Sequence, residues 1–168
     1  MSTEMENVYR QMNEGDIPWN IPEPPNLLQT LMASGVIAPC RMIEVGCGLG
    51  HHARYFARLG FEVTGVDIAP SALRSAAQNA ARGHLACRYV AADMRKPAPF
   101  ADCCFGFAYD WEVLHHIHPS ERLHYVENLY RILKPSAHYV SLCFHESDAH
   151  FGGVGKFRET PLGTTLYF

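Results

Sequence analysis

Residues 41–67 constrain the fold more than any other stretch of the chain. Arg41-Met42-Ile43-Glu44-Val45 reads as a short strand that runs straight into Gly46-Cys47-Gly48-Leu49-Gly50. A helix is expected next, with Ala53, Phe56 and Ala57 on its inner face and Gly60 as its C-terminal residue. Residues 61–66 are a second β-rich run that ends on Asp67. A strand, a glycine turn, a helix and a second strand make a βαβ unit, which places two parallel strands side by side under a crossover helix.

The alternation continues downstream. Pro70 opens a helix with Leu73, Ala76, Ala77 and Ala80 on one side and Gly83 closing it. Residues 86–91 form a third expected strand leading to Asp93, and residues 103–109 a fourth leading to Asp110. A helix over residues 119–133 presents Leu123, Val126, Leu129, Tyr130 and Leu133 on one face. Lys134-Pro135 ends it, and residues 137–144 are a fifth strand. The expected class is α/β, with a doubly wound, mostly parallel sheet covered on both faces. Ligands of such sheets bind beyond the carboxyl ends of the strands, where Glu44, the glycines, Asp67, Asp93 and Asp110 all converge.

Ahead of this body lies a leader of residues 1–35, leaving residues 36–168 as the single main domain. Met5, Val8, Tyr9 and Met12 fall at helical spacing, so residues 3–13 are expected to be an amphipathic helix. Pro18-Trp19-Asn20-Ile21-Pro22-Glu23-Pro24-Pro25 cannot be helical. A short helix follows, with Leu27, Leu28, Leu31 and Met32 as its apolar face and Gly35 as its stop.

Apolar residues are 48% of the 168, which excludes a disordered chain. Fourteen Lys+Arg against 17 Asp+Glu gives −3, the wrong sign for a chain held to nucleic acid by its phosphates. No run approaches a membrane span, and the polar start with Glu4 and Glu6 lacks the features of a signal peptide. The six cysteines include no CxxC pair and are expected to be free thiols, which points to a reducing cytoplasm.

The glycine turn lets backbone approach a ligand without an intervening Cβ, and the following helix offers free N–H groups. Asp67 lies 21 residues after Gly46, the distance at which a carboxylate reaches a ribose diol. Two ligand classes fit, a dinucleotide or S-adenosyl-L-methionine, and Gly48-Leu49-Gly50-His51-His52-Ala53 also satisfies the GxGxxA form of the dinucleotide pattern. Glu44 argues for the second, because a pyrophosphate would repel a carboxylate that an ammonium would pair with.

The run Ile43-Glu44-Val45-Gly46-Cys47-Gly48-Leu49-Gly50, with Gly65-Val66-Asp67, Ala92-Asp93-Met94, Val113-Leu114-His115-His116 and Arg131-Ile132-Leu133-Lys134-Pro135, resembles the class I S-adenosylmethionine-dependent methyltransferases. The likeness covers about residues 15–168 and implies their Rossmann-like sheet. The Pro18-Trp19-Asn20 leader and the Thr160-Pro161-Leu162-Gly163-Thr164-Thr165 tail look closest to small-molecule members of the thiopurine and tellurite-resistance type. The resemblance implies that Gly46, Cys47, Gly48 and Gly50 border the methionine end beside Glu44, and that Asp67 holds the ribose. It implies that Asp93, Met94 and Ile68 meet the adenine, and that Tyr109 and Asp110 line the wall next to the sulfonium.

Methyl transfer is an in-line displacement that needs alignment more than proton transfer. Asp110 and His115 are the candidate catalytic residues, and Trp19, Trp111 and His116 the candidate substrate or lid residues. The acceptor is expected to be a small molecule. His51-His52 and His115-His116-Ile117-His118 form no recognised metal-ligand set, so no metal is expected. The resemblance calls for a further helix and two strands, roughly 30–40 residues, whereas 24 follow Phe144. A shortened closing half is therefore expected, lacking the last strands, with the fifth strand covered by the tail or by a second subunit in a homodimer. The alternatives left open are a cofactor-binding protein without turnover and an NAD(P)-linked enzyme.

Overall fold

The computed structural model describes residues 2–143, with side chains from residue 4 onward. Ten regular elements follow in order: α1 (Ser2–Gln11), α2 (Asn26–Ala33), β1 (Arg41–Val45), α3 (His51–Arg58), β2 (Glu62–Asp67), α4 (Pro70–Arg82), β3 (Cys87–Ala91), β4 (Phe105–Trp111), α5 (Pro119–Ile132) and β5 (Leu133–Leu142). All pairings are parallel and the strand order is β3-β2-β1-β4-β5. The chain winds outward from β1 to β3, then returns to lay β4 on the other side of β1. The order therefore reverses between β1 and β4, above which the glycine turn sits.

Alternation along the central strands divides the core in two. Ile43, Val45, Val66 and Ala108 meet Tyr125, Leu129 and Ile132 of α5 and the connection through Met94 and Ala98. Met42, Val63, Phe107 and Tyr109 meet Ala53 and Phe56 of α3 and Leu28 of α2. On the first face, Asn128 is buried because it holds that connection. Its amide donates to Met94 O at 2.9 Å and Lys96 O at 2.7 Å, and its oxygen accepts from Ala98 N–H at 3.2 Å.

Four expectations need correction. The inward face of α5 carries Tyr125, Asn128, Leu129 and Ile132, while Leu123 and Tyr130 are 64% and 84% exposed. Two inward positions belong to hydrogen-bonding residues, so the apolar spacing located the stripe only in part: Leu129 is buried and Val126 and Leu133 pack against the core, as expected. Leu27 likewise faces solvent on α2. Lys134-Pro135 lies inside β5, which starts directly from α5; the register slips between Phe105 and Phe107, and Ser136 takes φ +63°. An edge strand tolerates the missing proline N–H at such a bulge. β4 also begins two residues later than expected, at Phe105. The end of the fifth strand at Phe144 and the folded-back tail lie outside the described residues. No helix among the described residues is long and apolar enough to cross a membrane.

Candidate cofactor site

The glycine turn is tied to the end of β2 rather than left as a free loop. Cys47 N–H donates to Val66 O at 3.0 Å, and Gly48 N–H donates to Asp67 Oδ2 at 2.9 Å. Ala69 N–H donates to Asp67 Oδ1 at 2.9 Å. Asp67 is 7% exposed, and burial pushes its carboxyl above the usual range while these N–H groups pull it back. The turn requires glycine: Gly46, Gly48 and Gly50 sit at φ +67°, +49° and +70°. A Cβ on Gly48 would also stand 2.7 Å from the Tyr9 hydroxyl.

Glu44 lies under this turn. It is buried, its Oε2 has no hydrogen-bond partner, and burial together with the nearby Asp67 pushes its carboxyl well above the ordinary range. An orphaned carboxyl oxygen in such a place suits a cationic ligand group. Cys47 is buried next to it, and burial raises its thiol pKa as well.

Beside the turn, the side chains of β4 alternate between two surroundings. Tyr109 projects toward α3, where its hydroxyl lies 3.3 Å from His52 Nδ1. The His52 ring meets Trp111 edge-on at 5.9 Å between centroids. Burial, with the neighbouring His51, holds the His52 imidazole down at about 4. The Trp111 Nε1 is buried without a partner. In the sequence His52 stands out only as half of a histidine pair and as a member of the GxGxxA pattern. Its spacing to Ala53 and Phe56 on the inner face of α3 was the available signal.

Asp110 points the opposite way and is fully buried. It accepts from Tyr125 Oη at 3.1 Å, Ser141 Oγ at 3.0 Å, Val113 N–H at 3.4 Å, and the Tyr139 hydroxyl. Burial outweighs these donors and raises its pKa to about 6. His115 is buried in the single turn Leu114–His116, its ring 4.3 Å from that of His116. The structure therefore separates Asp110 from the glycine-turn face that Tyr109 shares with Glu44.

At the β3 end, Asp93 is clamped by Arg95, whose Nε, Nη2 and backbone N–H donate to it at 2.8, 2.7 and 3.0 Å. Arg95 Nη1 continues to Glu121 at 2.9 Å, and Arg95 holds the Asp93 carboxyl below its ordinary pKa. Met94 is buried in the core facing α5, and Ile68 is half-buried in the turn after β2. Trp19 donates from Nε1 to Tyr9 Oη at 2.9 Å. The sequence shows Tyr9 only as an apolar-face position of α1 and Glu6 only as part of a polar start, because their partners are distant along the chain. All six cysteines are free, and Cys47 alone is fully buried. Among the described residues no group of three or more His, Cys, Asp or Glu is placed to hold a metal ion.

Residues 42–136 match the family described as "Methyltransferase domain". The chain belongs to that family. Family and fold place it among the class I S-adenosylmethionine-dependent methyltransferases. Hemagglutinin 1 of Eikenella corrodens is 39% identical over 72 residues, 43% of this chain and 24% of that protein. The 2-heptyl-1-hydroxyquinolin-4(1H)-one methyltransferase of Mycobacteroides abscessus is 29% identical over 131 residues, 77% of this chain and 57% of that protein. The chain thus spans less than two-thirds of each of these relatives. A structure solved in work on conversion of a disulfide bond into a thioacetal group during echinomycin biosynthesis matches with TM-score 0.77 and 26% identity, over 84% of this chain and 59% of its own. S-adenosyl-L-methionine is the family's cofactor, and the orphaned Glu44 oxygen beneath a turn that only glycine permits fits its ammonium and backbone.

Proposed function

We propose that the chain transfers a methyl group from S-adenosylmethionine to a small-molecule acceptor, with residues 1–35 as leader and lid. The observation that carries this reading is the buried, partnerless Glu44 Oε2 below a glycine turn bound to Asp67. When bound, the cofactor supplies a methyl on a positively charged sulfur. The rest of the work falls to the protein. Glu44, with Gly46, Cys47, Gly48 and Gly50, holds the amino-acid end, and Asp67 holds the ribose. Asp93, once its Arg95 clamp yields an acceptor position, meets the adenine beside Ile68 and the Met94 backbone.

Tyr109, Trp111 and His52 form an aromatic wall at the reversal of strand order, where a planar face favours a cationic sulfur. Trp19 and His116 border the acceptor side. Asp110 acts through position, fixing the end of β4 and the turn that bears His115 by its four hydrogen bonds. A small acceptor agrees with the quinolone substrate printed in the name of the M. abscessus relative. The test is calorimetric titration with S-adenosylmethionine and S-adenosylhomocysteine, followed by a methyl-release assay over thiols, amines, hydroxylated heteroaromatics and metalloid oxyanions. Absence of heat with both adenosyl compounds would end the proposal. Binding without turnover on any acceptor would favour a carrier over an enzyme.

A further inference from the structure

Helix α4 starts without a cap of its own. Ala69 precedes it, Pro70 has no N–H, and no neighbouring side chain accepts from its first turn. The acceptor arrives from 65 residues away. Glu6 on α1 takes the Ser71 N–H at 3.0 Å and the Ser71 hydroxyl at 2.8 Å on one oxygen, and its other oxygen lies 3.9 Å from Arg74. A carboxylate at a helix N-terminus is favoured by the helix dipole as well as by the bonds.

The same face of α1 packs Met5 and Tyr9 on Leu49, Ala69 and Ala72. Helix α1 therefore bridges the glycine turn and the start of α4, the two segments whose Gly48 and Ala69 N–H groups bond to Asp67. Tyr9 stands over Gly48, close enough that a Cβ there would be 2.7 Å from its hydroxyl. The phenol oxygen accepts from Trp19, and no described residue takes the phenol's own hydrogen.

We propose that Tyr9 is a further cofactor-binding residue and that Glu6 is the positioning residue that latches it, with α1 closing over the bound cofactor. The Tyr9 hydroxyl donates to an oxygen of the ribose or of the amino-acid end. Glu6, by capping α4 in trans, sets how long the cofactor stays. This rests on the methyl-donor reading above. A latch acts on the open fraction of α1, so weakening it shows mainly in the dissociation rate.

The test uses the full chain with S-adenosylhomocysteine as probe. Affinity is read by calorimetry, dissociation by stopped-flow displacement and helix content by circular dichroism. Glu6→Ala should speed dissociation about 10-fold with association changed less than about 3-fold. Glu6→Gln keeps an acceptor for Ser71 and should recover part of that loss. Tyr9→Phe should weaken binding about 5–20-fold at unchanged helix content. Unaltered rates in both Glu6→Ala and Tyr9→Phe would reduce α1 to packing and overturn the proposal. Tighter binding in Glu6→Ala would overturn it too, by showing that α1 sits in the cofactor's place instead of over it. If Asp67→Ala weakens binding while the α1 variants do not, the methyl-donor reading stands and this one falls. A wild-type chain that binds no S-adenosylhomocysteine sinks both.

Discussion

Two buried groups should titrate against each other when the protein is acidified. His52 is held at about 4, below its ordinary 6.5, and Asp110 at about 6, above its ordinary 3.8. The unfolded chain protonates His52 first, so the stability that His52 contributes is complete above about pH 6.5 and drains away as pH falls toward about 4. Asp110 works in the other direction. The folded state takes its proton first, so stability is gained as pH falls through about 6 and is fully gained below about 3.8.

Between about pH 8 and pH 5 the linkage relation gives a loss of about 2 kcal/mol from His52 and a gain of about 1.4 kcal/mol from Asp110. In the wild type the two leave a net loss of only about 0.6 kcal/mol. Urea unfolding at the two pH values separates them, because the fixed cost of each substitution cancels in the difference. Asp110→Asn should show an acid loss about 1.4 kcal/mol larger than wild type, and His52→Gln an acid loss about 2 kcal/mol smaller, reversing its sign. If His52→Gln kept the wild-type pH difference, the imidazole would not be held neutral by its burial against Tyr109, and the reasoning would fail.

Other outcomes can be checked alongside. Asp67→Ala should weaken S-adenosylhomocysteine binding about 10–100-fold in calorimetry, by removing the proposed ribose acceptor and releasing Gly48 N–H from its bond. Because Glu44 starts with a raised pKa and would ionise beside an ammonium, cofactor binding should release protons. Its apparent enthalpy should then vary with buffer ionisation heat, and its affinity should climb with pH. Asn128→Ala frees three backbone groups on the connection from Met94 to Ala98 and should cost about 2–4 kcal/mol in urea unfolding. Gly48→Ala combines a positive-φ penalty with a contact against Tyr9; it should reduce cofactor affinity at least 10-fold in calorimetry.

The half of the molecule built from local signals was readable in advance. β1, the glycine turn, α3 and β2 follow from short-range spacing, and Asp67 follows because the length of a βαβ unit fixes where its second strand ends. The inner face of α5 was legible only in part, through Val126, Leu129 and Leu133, because Tyr125 and Asn128 are buried to serve polar partners, Asp110 and the backbone near Met94, which hydrophobic periodicity does not register. The beginning of β5 was misplaced because a bulge lets Lys134-Pro135 enter a strand. Tyr9, Glu6 and His52 were legible only as local positions, for a related reason. Each earns its place through partners outside its own element, and one sequence offers no direct view of those.

The bulge in β5 has a bearing on how the protein behaves in a crowded solution. Among the described residues β5 is the outermost strand on its side, and an open flank of that kind invites other chains to add on as in amyloid growth. Pro135 removes one donor from that flank, Ser136 turns the backbone away, and Lys134 places a charge beside them. Regular pairing with β4 is left to the five residues His138 to Leu142, too short a template for a fibril to extend far.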